Sequence, residues 1–111
     1  MKGPFDYDTL TIQSKVDSEK IGNYSLGKTD DKGDFYPKYV GRSDSDLQGE
    51  LTSRLQDKDH HSKFKFSYAD SKKEAFEKEC KNYHDFEKSL ENKIHPDSPN
   101  GMNLKCPVCG K

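Results

Sequence analysis

The sequence predicts an α+β fold, a small antiparallel sheet of about three strands flanked by helices, with an irregular C-terminal tail pinned by a metal. Three observations predict it. Phe64, Phe66 and Tyr68 alternate with Lys63, Lys65 and Ser67, the period-2 pattern of a half-buried strand. Ser71 followed by Glu74 forms a capping box ahead of an apolar stripe at helical spacing. Cys106-Pro-Val-Cys109 closes a proline-interrupted tail that carries no such periodicity.

Along the chain, residues 1 to 8 read as a lead-in. Thr9 to Val16 reads as a strand, because Leu10, Ile12 and Val16 fall between polar residues. Gly22, Gly27 and Gly33 mark turns around Tyr24, which lies on a further strand. Phe35 to Val40 is aromatic and β-branched, and Pro37 restricts it to an edge or a strand start. Asp44, Ser45 and Asp46 stand where a cap is needed for a helix with Leu47, Leu51 and Leu55 on one face. After the polar segment Gln56 to Ser62 comes the Phe64 strand, then a helix from Ser71 to about Phe86. Its apolar stripe is Ala75, Phe76, Cys80, Tyr83 and Phe86, and Glu79 falls inside it. Residues 1–19 thus form a lead-in and first strand, 20–93 the main domain, and 94–111 a tail packed on it.

Composition narrows the function classes. A chain of 111 residues with 29% hydrophobic and 35% charged residues has a thin core, which a bound metal would help to hold. No apolar run reaches the ~20 residues of a membrane span, so no membrane partner and a cytoplasmic location are expected. The formal net charge of -1 argues against coating nucleic acid by bulk electrostatics, and leaves a local basic patch as the route to a phosphate backbone.

Two constellations carry chemistry. Cys80 and His84 share one helix face, and with Cys106 and Cys109 they supply the four soft or borderline donors of a closed zinc site. His95 is the competing fourth ligand. A redox pair, or two reduced thiols with Cys80 in the core, is the other reading of the same cysteines. Glu79 is the second: a carboxylate in an apolar stripe must be hydrogen-bonded, paired with a cation-bearing side chain, or holding a metal ion. His60 and His61, in a polar loop, are expected in solvent, as are Lys63 and Lys65. Tyr36 and Tyr68 are expected as core or sheet-surface aromatics.

The order Gly22-Asn23-Tyr24, Tyr39-Val40-Gly41, a helix with Leu47, an aromatic strand, and a helix with Ala75-x3-Glu79 followed by Asn92 resembles the GIY-YIG nuclease domain over about residues 20 to 93. The resemblance implies a small antiparallel sheet and hydrolysis of nucleic-acid phosphodiesters, DNA in the first instance, with Mg²⁺ or Mn²⁺. It places Tyr24 and Tyr39 beside the attacking water, Arg42 after the second motif, Glu79 on the divalent ion, and Asn92 near the phosphate. The family's helix-borne arginine falls on Glu50, and Arg54 one turn later is the cation available in its stead. Asn23 replaces the usual apolar middle residue of the first motif. Glu50 also opens the alternative of a zinc-stapled module that binds nucleic acid or a protein without turnover. A third possibility, a zinc-stabilised domain unrelated to nucleic acid, requires that Tyr24, Tyr39 and Glu79 fail to converge.

Overall fold

The computed structural model describes residues 1–55, 61–92 and 94–110. The chain forms β1 (Lys2–Asp6), α1 (Thr9–Lys15), β2 (Gly22–Thr29), β3 (Phe35–Ser43), α2 (Leu47–Arg54), β4 (Lys63–Tyr68) and α3 (Lys72–Phe86). The four strands make one antiparallel sheet in the order β1-β4-β2-β3. The α+β class expected from the sequence is therefore observed, with one strand more than about three. Among the described residues no helix is long and apolar enough to cross a membrane.

The extra strand and a missed helix lie at the N-terminus. Residues 1 to 8 are not a loose lead-in: Lys2–Asp6 pairs with β4, and Phe5 packs beside Phe64 and Phe66 with ring centroids 5.7 and 6.0 Å away. Thr9 to Val16 is not a strand. Asp8 caps the segment by accepting a 2.8 Å hydrogen bond from the Thr11 amide, and Ile12 and Val16, one helical turn apart, are both buried. Leu10, which suggested alternation, is 80% exposed. A local cap together with i, i+4 burial overrides the apparent period of two.

The sheet buries different residues on its two faces, as the alternation of strand side chains requires. One face brings Tyr24, Leu26, Phe64 and Phe66 against Ile12 and Val16 and against Leu47 and Leu51 of α2. The other carries Asn23 and Val40 under α3. Asn23 is fully buried and donates to the Ala75 carbonyl (2.8 Å), so the polar middle residue of the first motif anchors α3 to the sheet. The capping box at Ser71 forms as expected, Ser71 Oγ accepting from the Glu74 amide at 3.1 Å. Asp46 stands at the α2 N-cap without a side-chain cap bond, and its carboxylate accepts from the Glu19 amide instead (3.0 Å). Phe86, expected in the α3 stripe, is 44% exposed, while Ala75, Phe76, Cys80 and Tyr83 are buried.

β3 is an edge strand, and Pro37 lies opposite Gly27, where the β2–β3 register shifts. The free side of this edge is covered by the tail. Asn92 donates to the Val40 carbonyl (2.9 Å) and accepts from the Val40 amide (3.0 Å), and the Glu91 amide donates to the Lys38 carbonyl. Such cover removes an open ladder of backbone groups. His60 lies outside the described residues. His61 is not in solvent as expected; its side chain is 9% exposed and pairs with Glu91 at 3.2 Å.

The pairing of β2 with β3 sets Tyr24 opposite Gly41. A Cβ on Gly41 would overlap the end of the Tyr24 ring and reach 2.8 Å from its Cε1, and a Cβ on Gly22 would lie 2.7 Å from Leu47 Cδ2. Both motif glycines are thus required by close packing. Gly41→Ala is expected to destabilise the fold by about 1–3 kcal/mol through overpacking, read as a lowered urea midpoint with unchanged slope.

Candidate functional site

A cleft of about 200 Å³ opens at the β3 edge, lined by Tyr24, Tyr39, Gly41, Arg42, Asp44, Glu50, Arg54 and Glu79. Strand alternation puts Tyr39 and Gly41 on one face of β3 and Arg42 on the other. The cleft therefore wraps the edge strand at its side-chain-free residue, and does not lie on one side of the sheet. Of the six residues singled out for catalysis, Tyr24, Tyr39, Arg42, Arg54 and Glu79 line it. Asn92 does not; its amide is spent on the Val40 backbone.

Tyr24 and Tyr39 stack with centroids 6.3 Å apart and planes 19° from parallel. The Tyr24 hydroxyl donates to Glu50 Oε2 (2.8 Å), and Arg54 Nε lies 3.4 Å from the same oxygen. Arg54 also donates to the Tyr39 hydroxyl and lays its guanidinium over the Tyr39 ring, 4.2 Å from its centre. One turn past Glu50, the long Arg54 side chain reaches back into the cleft. Burial, reinforced by the Glu50 charge, pushes the Tyr24 phenol well above its ordinary range, against the opposing pull of Arg54. Tyr24 is therefore protonated at neutral pH.

Arg42 is held on three sides. Its Nε donates to Asp44 Oδ1 (2.9 Å), one terminal nitrogen to Glu79 Oε1 (2.5 Å), and the other to the Asp97 carbonyl (2.6 Å). Its guanidinium also lies over the Phe76 ring. Burial raises the Glu79 carboxyl above its ordinary value; Arg42 opposes the shift, and Asp44 and Glu50 add to it. The Glu79 in the apolar stripe thus has its reason: it is the inner partner of a half-buried arginine. The sequence offers Asp44 as a helix-cap candidate and not as a partner of Arg42, and it does not single out Asp97. Asp44, two residues after Arg42, carried a weak local signal; Asp97 contributes a backbone carbonyl, for which no sequence signal exists.

The second constellation is a group of His84, His95, Cys106 and Cys109, whose ligand atoms all lie within 4.8 Å of one another and could hold a metal ion. The expected set changes by one member. His95 takes the place assigned to Cys80, which is buried and lies behind Cys106. Cys80 packs beside Cys106, and burial pushes its own thiol up to about 12. Burial also opposes ionisation of Cys106, yet the backbone amides of Cys109 and Val108, with His95 and Cys80, pull it down to about 5.

Both histidines are oriented for ligation. His84 Nδ1 sits 3.3 Å from Glu87 Oε2, and His84 Nε2 is buried without a hydrogen-bond partner among the described residues. His95 Nδ1 sits 2.8 Å from the Pro96 carbonyl, leaving Nε2 facing Cys109 Sγ at 3.4 Å. An acceptor on one ring nitrogen fixes the other as the free ligand atom. The Cys-Pro-Val-Cys turn is closed by the Gly110 amide donating to the Cys106 carbonyl (2.9 Å), with Gly110 at φ 78°.

Comparison of the chain with protein-family models, with curated proteins and with solved structures finds no match in any of the three. What these residues do must be read from their geometry.

Purified protein is expected to carry about one tightly bound metal ion per chain. His95→Ala and Cys109→Ser should lose the metal and melt at lower temperature. Cys80→Ala should keep a full equivalent while losing roughly 1 kcal/mol of stability. Metal analysis and thermal melts of the three variants decide the ligand set.

Proposed function

We propose that the chain is a divergent GIY-YIG-like domain that hydrolyses nucleic-acid phosphodiesters with a divalent cation, its tail held by a structural zinc ion. The observation that carries this reading is the convergence in one cleft of Tyr24, Tyr39, Arg42, Arg54 and Glu79, drawn from two strands and two helices. Convergence of both tyrosines with Glu79 is also what the reading without nucleic acid required to fail.

Glu79 would hold the divalent cation. Hard cations take oxygen donors, usually one protein carboxylate with waters and phosphate oxygens, and the cleft offers Glu79 with Asp44 and Glu50 nearby. The charged form of Glu79 is disfavoured by burial, a demand that a cation would meet as Arg42 now does. When bound, the ion supplies positive charge against the developing charge on phosphate. Arg54 supplies the cation that the arginine at position 50 would have provided. Its guanidinium is already in the cleft and oriented by Tyr39 and Glu50, so the one-turn displacement along α2 is spanned by side-chain length. Tyr39, stacked on Tyr24, bounds the space for the attacking water.

Zinc suits the His84, His95, Cys106 and Cys109 set because two imidazoles and two thiolates match its borderline softness and tetrahedral preference. Its role is structural: the tail that it would pin includes Asp97, whose carbonyl holds Arg42.

Wild type is expected to cut labelled DNA in Mg²⁺ or Mn²⁺. Glu79→Gln should reduce kcat by roughly 10²–10³-fold with the fold intact by circular dichroism. A Glu79→Gln variant as active as wild type would refute the assignment. Binding without cutting by wild type would instead identify the zinc-stapled binding module, the reading that Glu50 favours.

A further inference from the structure

We infer that Glu50 is the terminal proton acceptor of the hydrolysis, reached through the Tyr24 hydroxyl. The inference rests on the phosphodiesterase reading above and deepens it. Tyr24 sits at the centre of β2, 1% exposed, with its ring end against Gly41 and its hydroxyl committed to Glu50 Oε2 at 2.8 Å. A phenol in that environment does not act as a phenolate base. A hydroxyl that donates one hydrogen bond still has lone pairs to accept another, so it can pass a proton from the cleft to the carboxylate behind it.

Glu50 is the carboxylate placed for this task. Of the three in the cleft, Asp44 and Glu79 are both bound by Arg42, whereas Glu50 faces Tyr24, with Arg54 Nε 3.4 Å from the same oxygen. Arg54 pairs with Glu50 along α2 and shares its guanidinium with Tyr39. Glu50 thus faces Tyr24 from β2, Tyr39 and Arg42 from β3, Arg54 from its own helix, Glu79 from α3, and Asp44 from the segment joining β3 to α2. The substitution that removes a cation from α2 thereby installs a base.

The water oxygen forms a bond to phosphorus as the bond from phosphorus to the leaving oxygen breaks. A water proton moves to Tyr24 Oη while the Tyr24 proton moves to Glu50 Oε2. The leaving oxygen takes a proton from solvent, and Glu50 afterwards returns its proton to solvent. No redox partner is needed.

The test uses the full chain with Mn²⁺ and a p-nitrophenyl diester of thymidine 5′-phosphate, whose leaving phenolate needs no proton. Glu50→Gln, which keeps the size of the side chain, and Tyr24→Phe should each lower kcat by roughly 10²-fold with little change in KM. The double variant should lose no more than either single one, because the two residues act as one unit. A second readout needs neither metal nor substrate. In alkaline titration of phenolate absorbance, Glu50→Gln should ionise one tyrosine at lower pH than wild type does. A Glu50→Gln enzyme that keeps near-wild-type kcat, losses that multiply in the double variant, or identical titrations would overturn the relay and leave the phosphodiesterase reading standing. Absence of hydrolysis by wild type, on this diester and on DNA alike, would overturn both.

Discussion

The guanidinium of Arg42 ties four parts of the chain to one point. Its backbone belongs to the edge strand β3, and its three nitrogens reach the turn that follows at Asp44, helix α3 at Glu79, and the C-terminal tail at Asp97. Planar, fixed donors make such a multi-sided clamp possible for arginine and not for lysine. Among its partners Glu79, with its side chain 12% exposed, is the acceptor that would be costly to leave unpaired. The cleft exists where it does because this clamp closes the sheet edge from behind while Gly41 leaves it open in front.

The metal group and the cleft are therefore not independent. His95 is two residues from Asp97, and Glu79 directly precedes Cys80, which packs on Cys106. A tail with no regular secondary structure cannot hold a carbonyl against an arginine by itself. An ion held by His84, His95, Cys106 and Cys109 would, together with the Asn92 amide on Val40, hold it there. Small domains with little apolar area depend on such staples. In this chain such a staple would also shape the wall of the cleft.

The sequence was legible where its signals were local and repeated. β4 showed its period of two, α3 its capping box and stripe, and Pro37 its edge position. The N-terminus was misread because a single exposed leucine, Leu10, imitated alternation and hid the Asp8 cap with its Ile12 and Val16 pair. β1 has little apolar content of its own and is specified by pairing with β4, which no local pattern reports. In the cleft, the tyrosines, Arg42, Arg54 and Glu79 were readable from motif spacing. The bonds they make to Glu50, Asp44 and the Asp97 carbonyl were not, because these depend on how the edge strand packs against two helices. Three of the four residues expected at the metal group stand in the cluster that could hold an ion: Cys80 shares a helix face with His84, but it is buried behind Cys106, and the segment around His95, the alternative ligand, delivers the imidazole instead.

On the proposed function, one chain builds two metal sites of different chemistry on either side of the Arg42 clamp. The measurement that tests it most directly is a pair of anomalous difference maps, at the zinc and manganese absorption edges, from a crystal of the zinc-loaded protein soaked in Mn²⁺. The expected result is zinc among His84, His95, Cys106 and Cys109, and manganese in the cleft at the Glu79 carboxylate. Manganese absent from Glu79, or zinc ligated by Cys80 in place of His95, would contradict the account.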